Sequence, residues 1–286
     1  MPELPEVETV TNALRPHLVG RCITTVETHT AQLRTPVVVH QHPEICGATI
    51  TAVRRRAKYI LVELDRRLVI LVHLGMTGSC RIVTAAAPSV DHEHIIVYLD
   101  DGMTWRYRDP RRFGMFELHP IGKEEVIPEC LAAFGPEPLA AEFTAEYLRD
   151  VCRQRQKPIK NLVMDNACVV GVGNIYASEA LWWARISPRK MSGRLALSQC
   201  GVLAQSIVKV LSEAIESGST VPLDFAGVEK GDGLFYYGSQ DEEEDYEERL
   251  MVYNWEGEPC ERCETPIRKI VQAARSTYFC PKCQRD

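Results

Sequence analysis

The sequence predicts an α+β protein of several domains: an N-terminal antiparallel β-sandwich with an opening helix, a helical C-terminal domain, and a four-cysteine zinc finger at the end. Three observations predict it. Short β-branched and aromatic runs separated by turn residues fill the first half. Helical periodicities replace them from residue 144 onward. Two Cys-x-x-Cys pairs close the chain.

Val7, Val10 and Leu14 recur at helical spacing, with Pro5 near the start. The chain therefore opens on a short helix behind an extended stub. Strands are expected at AKYILVEL (57–64), LVILVHL (68–74), HIIVYL (94–99), MTWRYR (103–108) and FGMFEL (113–118). Asp65, Gly75, Asp100-Asp101-Gly102 and Asp109-Pro110 punctuate them, the pattern of an antiparallel sandwich. Pro136 and Pro138 interrupt FGPEPLAAEFT (134–144), where the first domain, 1–134, ends. Helices are expected at TAEYLRDVCRQ (144–154), with Thr144 as N-cap, at PIKNLVMD (158–165), at NIYASEALWWAR (174–185) and at 198–217. These belong to a domain spanning 135–225. A long loop rich in glycine and acids follows at 226–250, and a zinc finger occupies 251–286.

The tail reads Cys260-x2-Cys263, sixteen residues, then Cys280-x2-Cys283. Four thiolates so spaced form a closed tetrahedral site for one structural Zn2+, with no open position for chemistry. A module this small folds only around its metal. The remaining seven of the 11 cysteines (Cys22, Cys46, Cys80, Cys130, Cys152, Cys168, Cys200) lack ligand spacing and are expected to be small buried hydrophobes in a reducing compartment.

With 45% apolar and 25% charged residues, the composition is that of an ordinary soluble globular protein. No apolar run reaches the length of a membrane span, and MPELPEVETV carries acids and prolines where a secretory signal would carry bases. The expected location is cytoplasmic, nucleoid-associated in a bacterium, and the expected state a monomer. The net charge of −6 opposes a nucleic-acid partner, but seven acids sit in one segment, DEEEDYEE (241–248), and without them the chain carries +1. Bases cluster at Arg54, Arg55, Arg56 and Lys58, at Arg106, Arg108, Arg111 and Arg112, and at Arg153, Arg155, Lys157 and Lys160. Together with a basic zinc module they favour a DNA partner.

MPELPEVETV, RRAKYILVEL, HLGMTGS, DPRRFG, MDNACVVGVGNIYASEAL and GEPCERCETPIRKI…STYFCPKC run in order from the first residue to the last cysteine, and together they resemble the formamidopyrimidine-DNA glycosylases. The resemblance implies a bifunctional base-excision enzyme on double-stranded DNA with oxidised bases. It would remove oxidised purines (8-oxoguanine, formamidopyrimidines) and nick the strand by β,δ-elimination. It also implies that the helical block is a helix–two-turn–helix and that 226–250 caps the extruded base. Pro2, freed of Met1, would be the nucleophile: an α-amino group titrates near 8, about two units below lysine, and a secondary amine gives an iminium with the sugar. Glu3 would carry the proton for the sugar ring oxygen. Lys58 and the zinc-hairpin Arg275 would assist the eliminations. Met76, Arg111 and Phe113 would fill the vacated base stack, Asn174 would contact phosphate, and His92 and Lys160 match DNA-contacting positions. Gln156, where many members carry lysine, and the acidic run in the capping loop depart from the family pattern. Two other readings share much of this text: an endonuclease VIII-like glycosylase for oxidised pyrimidines, and a non-catalytic zinc DNA-binding protein. MPELPE and the Met76, Arg111, Phe113 set argue against the first; intact Pro2, Glu3 and Lys58 argue against the second.

Overall fold

The structure is a computed structural model that describes residues 2–122, 127–217, the backbone of 234–235, and 250–285. The acidic run 241–248, and with it nearly all of the expected capping loop, lies outside the described residues. The chain forms two compact units, Met1–Ala132 with Val221–Glu244, and Ala133–Thr220 with Asp245–Asp286.

In the first unit, helix α1 (Leu4–Leu18) buries Leu4, Val7, Val10, Leu14 and Leu18, which the helical repeat places on one stripe. The Glu3 backbone N–H donates to Glu6 Oε2 at 2.7 Å, so one of the helix's first, otherwise unpaired donors is satisfied. Strands β1 (Ile23–Thr28), β2 (Ile50–Arg56), β3 (Tyr59–Leu64), β4 (Leu68–His73), β5 (Ser79–Thr84), β6 (Glu93–Leu99), β7 (Met103–Arg108) and β8 (Met115–Pro120) pair antiparallel, joined by β9 (Leu234–Phe235). They form two sheets, β1-β6-β7-β5-β9 and β2-β3-β4-β8. The inward residues of both, with the apolar stripe of α1, make one core around Trp105, Tyr107 and Phe116.

Four strands of this unit, β1, β2, β5 and the two-residue β9, are additional to the five expected. Polar residues break the alternation of the first three: β2 ends on three arginines, and β5 carries Arg81. Lys58 is not in a strand. Ala57 and Lys58 form the turn between β2 and β3, with Ala57 in the left-handed region at φ +56°, and the strand begins at Tyr59. Among the seven non-tail cysteines only Cys80, Cys152, Cys168 and Cys200 are buried; Cys46 and Cys130 are exposed, each at a short 3-10 turn on the surface.

The basic runs are not continuous surfaces either. Arg106 is buried. Its Nη1 lies 3.2 Å from Glu93 Oε2, Arg81 Nη1 lies 2.7 Å from Glu93 Oε1, and Arg106 Nη2 donates to the carbonyls of Thr84 and Ala87. Arg54 pairs with Glu63, and Arg55 with Glu8. Charges taken out of water are tolerated only when paired and hydrogen-bonded, and here the pairing closes the loop after β5.

The second unit packs α2 (Ala145–Arg153) and α4 (Asn174–Trp183) on α5 (Leu197–Glu216), with the short α3 (Ile159–Val163) against α4. Thr144 caps α2, its hydroxyl accepting the Tyr147 N–H at 3.1 Å. Residues Tyr176 to Trp182 of α4 are all buried, so this helix is the unit's axis. Glu179 on it accepts the backbone N–H groups of Met251, Val252 and Tyr253 at 2.8, 3.0 and 2.9 Å, tethering the segment that leads into the zinc module. That module is a hairpin, β10 (Arg268–Gln272) and β11 (Arg275–Phe279). No helix of the described residues is long and apolar enough to cross a membrane.

Removing the shared anion of the buried triad takes an ion-pair partner from both Arg81 and Arg106. Glu93→Gln is expected to destabilise the protein by about 3 kcal/mol, measured by urea unfolding; a change within about 0.5 kcal/mol would contradict the role given to this cluster.

Candidate active site and nucleic-acid interface

Pro2 and Glu3 are both buried and lead directly into α1. One turn further on, Glu8 Oε2 accepts from Arg55 Nε at 2.6 Å, and Arg55 Nη1 donates to the Ala57 carbonyl at 3.0 Å. This relay ties the opening helix to the turn that presents Lys58, itself only 9% exposed. The Lys58 charge reaches His73 at the end of β4. The imidazole is pushed down to about 4, first by burial and then by the nearby Arg34 and Lys58 cations. His73 is therefore neutral, and its Nδ1 accepts the Gly75 N–H at 2.9 Å.

Gly75 begins the turn that exposes Met76. Its φ of +64° suits glycine, and a Cβ there would come within 2.5 Å of the Phe113 backbone. The β4–β5 and β7–β8 turns thus touch backbone to backbone. Met76 is 41% and Phe113 47% exposed, although both are large and apolar. The Arg111 guanidinium lies 4.6 Å over the Phe113 ring. His92, exposed and at φ +68°, sits in the turn before β6.

These turns meet at Asp109, which is fully buried. Its Oδ1 accepts from the Thr77 hydroxyl at 2.6 Å and from the Arg111 N–H at 3.3 Å; its Oδ2 accepts from the Gly114 N–H at 2.8 Å. The structure thus gathers Met76, His92, Arg111 and Phe113 on turns of the first unit. The sequence marked Asp109 as a turn former and placed it, with His73 and Thr77, inside blocks that carry the family resemblance, but it assigned none of the three a role.

In the second unit, Lys160 is 1% exposed. Its ammonium donates to Asn174 Oδ1 at 2.6 Å, Thr277 Oγ1 at 2.7 Å and the Ser276 carbonyl at 3.3 Å. Asn174, first residue of α4 and half-buried, donates from Nδ2 to the same Ser276 carbonyl at 2.9 Å. Lys160 and Asn174 are therefore brought together, with the lysine behind and the amide nearer solvent. Arg275 is exposed and opens β11 after the two-residue turn Ala273-Ala274, both at positive φ (+46° and +60°). That turn type matches the twist of a tight hairpin.

The thiol sulfurs of Cys260, Cys263, Cys280 and Cys283 all lie within 4.8 Å of one another, with Cys260 to Cys283 at 4.0 Å and Cys263 to Cys280 at 3.5 Å. Tetrahedral zinc with Zn–S near 2.3 Å requires sulfurs about 3.8 Å apart, so the donor set and its spacing fit. Trp182 Nε1 donates to Cys260 Sγ at 3.4 Å, and Arg262 lies 3.6 Å over the Trp182 ring while donating to its carbonyl. Such outer contacts orient a ligand; neither Trp182 nor Glu179 stood out in the sequence.

Two outcomes follow. Above pH 6.5 His73 is neutral whether the chain is folded or unfolded; between 6.5 and about 4 only the unfolded chain takes up its proton. Stability should therefore fall as pH drops through that window, by about 3 kcal/mol in all from this group. His73→Asn, which keeps an acceptor for Gly75, should flatten this part of the pH–stability curve; an unchanged slope would refute the assignment. Stripping zinc with a chelator should release about one ion per chain and sharply lower the melting temperature, because losing the hairpin uncovers Lys160. A melting temperature indifferent to zinc would count against this coupling.

Comparison with known proteins agrees with this architecture. Residues 1–116 match the formamidopyrimidine-DNA glycosylase N-terminal domain, 134–224 the formamidopyrimidine-DNA glycosylase H2TH domain, and 257–285 the zinc finger found in FPG and IleRS. The chain is 45% identical over 285 residues to a formamidopyrimidine-DNA glycosylase of Thioalkalivibrio sulfidiphilus and 42% identical over 287 residues to one of Hahella chejuensis, each alignment covering 100% of both chains. Among solved structures it resembles Lactococcus lactis Fpg in complex with DNA containing an abasic site (TM-score 0.84, 34% identity, 99% of this chain and 100% of that one). It also resembles MutM in complex with DNA containing carbocyclic 8-oxo-G (TM-score 0.82, 32% identity, 100% of both chains). With its three matched regions in order and full-length relatives above 40% identity, the chain belongs to the formamidopyrimidine-DNA glycosylase family.

Proposed function

We propose that the protein excises oxidised purines, 8-oxoguanine and formamidopyrimidines, from duplex DNA and then cleaves the strand, acting as a monomer in the bacterial cytoplasm in association with the nucleoid. The observation that carries this reading is the pairing of a buried Pro2-Glu3 start with exposed Met76, Arg111 and Phe113 on one unit. A wedge of that kind has no use in a protein that leaves bases stacked.

In this mechanism the Pro2 nitrogen, released by removal of Met1, attacks the sugar C1′ as the damaged base departs. Glu3 supplies the proton that lets the ring oxygen leave C1′, and the iminium that results makes the 2′-proton acidic. Loss of that proton expels the 3′-phosphate; a second elimination expels the 5′-phosphate. Lys58 and Arg275 are the cations assigned to these steps. Met76 and Phe113 occupy the vacated stack, and Arg111 faces the orphaned base, which favours lesions opposite cytosine. His92, Asn174 and, through Asn174, Lys160 are assigned to the phosphate backbone. The zinc ion would contribute position only, by holding the hairpin that carries Arg275.

Borohydride reduction during turnover on a duplex with 8-oxoguanine opposite cytosine should trap a covalent protein–DNA adduct, which Pro2→Gly abolishes. An adduct that survives Pro2→Gly would sink the nucleophile assignment. Faster trapping on thymine glycol than on 8-oxoguanine would move the enzyme to the pyrimidine-specific class.

A further inference from the structure

We infer that Asp109 is the positioning residue that sets the geometry of the DNA wedge, holding Met76, His92, Arg111 and Phe113 in one rigid edge; this rests on the proposed excision of everted bases.

Every polar group of Asp109 is engaged with a segment that carries one of those four side chains. Its N–H donates to the His92 carbonyl at 3.1 Å. Its own carbonyl accepts the Arg112 N–H at 3.2 Å and faces His94 Nε2 at 2.9 Å, which fixes that ring nitrogen as the protonated one. Oδ1 takes the Thr77 hydroxyl, next to Met76, and the Arg111 N–H. Oδ2 takes the Gly114 N–H, next to Phe113. Thr77 Oγ1 also accepts the Arg111 N–H at 3.3 Å, so the two turns are bonded twice over.

The side chains so presented have little packing of their own: Met76 and Phe113 are among the most exposed large apolar residues described, and turns lack a ladder to hold them. A wedge that must enter a base stack loses affinity for every degree of freedom it gives up on entry. Fixing the turns from beneath, through one buried carboxyl, settles that ordering cost when the chain folds. A carboxyl suits the task because it alone among side chains of this size offers two acceptor oxygens, here facing Thr77 and Gly114; an amide would turn an N–H2 towards one of those donors.

The test uses the full-length, zinc-loaded protein with Asp109→Asn, Thr77→Val and Thr77→Ser. Adduct trapping is measured on an abasic site in single-stranded DNA, where no stack needs filling, and on 8-oxoguanine in a duplex. For Asp109→Asn and Thr77→Val the ratio of duplex to single-strand rates should fall about tenfold or more, the scale of one lost charge-assisted hydrogen bond. Thr77→Ser, which keeps the hydroxyl, should restore the wild-type ratio. A second readout needs no catalysis: 2-aminopurine placed opposite a tetrahydrofuran abasic analogue brightens when the wedge unstacks it, and Asp109→Asn should lose most of that signal. Equal loss on both DNAs, or no loss on either, would overturn the inference, as would a full 2-aminopurine response in Asp109→Asn. If Asp109→Asn does not fold, Thr77→Val decides. Failure of the wild-type protein to form any adduct would defeat the excision reading instead, and the fluorescence would still judge the wedge.

Discussion

A polar group withdrawn from water must find all its hydrogen bonds inside the protein, and this constraint organises both units. Asp109, Glu179 and Lys160 are buried, and each satisfies itself on backbone, hydroxyl or amide groups of segments outside the sheets and long helices or at the zinc hairpin. An unmet buried charge costs several kcal/mol, roughly the margin of a whole domain's stability. The turns at 75–78 and 109–114, the bend at 251–253 and the hairpin at 268–279 are therefore fixed by polar contacts, to which the last two add the apolar packing of Val252, Tyr278 and Phe279.

The zinc module shows the same logic with a metal added. Four thiolates and a bound ion close the hairpin, but the hairpin's place on the second unit comes from Lys160 beneath Ser276 and Thr277 and from Trp182 beneath Cys260. Metal and lysine thus stabilise each other through a shared strand. The proposed role of Arg275 depends on both, since its guanidinium can be aimed only by a turn that cannot bend.

The sandwich and the helices were legible because their signals are local. MTWRYR coincides with β7 residue for residue, and Thr144 caps α2 as its position before a helical repeat implies. The cysteine tetrad was legible from spacing alone. What escaped was set by partners far along the chain. Thr77 and Asp109 are 32 residues apart, Lys160 and Thr277 are 117 apart, and nothing in the neighbourhood of either lysine or aspartate announces such a partner. The same distance effect explains the basic runs. Arg54, Arg55 and Arg106 read as surface charge until the acids that neutralise them, Glu63, Glu8 and Glu93, arrive from other strands and from α1. Lys58 was misplaced by one local feature, the left-handed Ala57, which lets a turn stand where the pattern reads as strand.

With Arg55 and Arg106 paired in the interior and Arg54 paired to Glu63, charge alone accounts for less of the DNA recognition than the sequence suggested, and shape must account for more. The proposed chemistry points the same way. A secondary amine and a nearby carboxyl will process any sugar whose C1′ is presented to them, so Pro2 and Glu3 cannot distinguish one base from another. Selection has to occur before the sugar reaches them, when a base leaves the stack and something must replace it. The residues placed to do this, Met76, Arg111 and Phe113, discriminate only if they are held stiffly enough for a wrong fit to cost energy instead of being absorbed by a flexible loop. In this chain that stiffness is carried by hydrogen bonds to a single buried carboxyl. Specificity in the proposed reaction is thus a property of the fold beneath the interface, and the catalytic terminus supplies reactivity to whatever that interface admits.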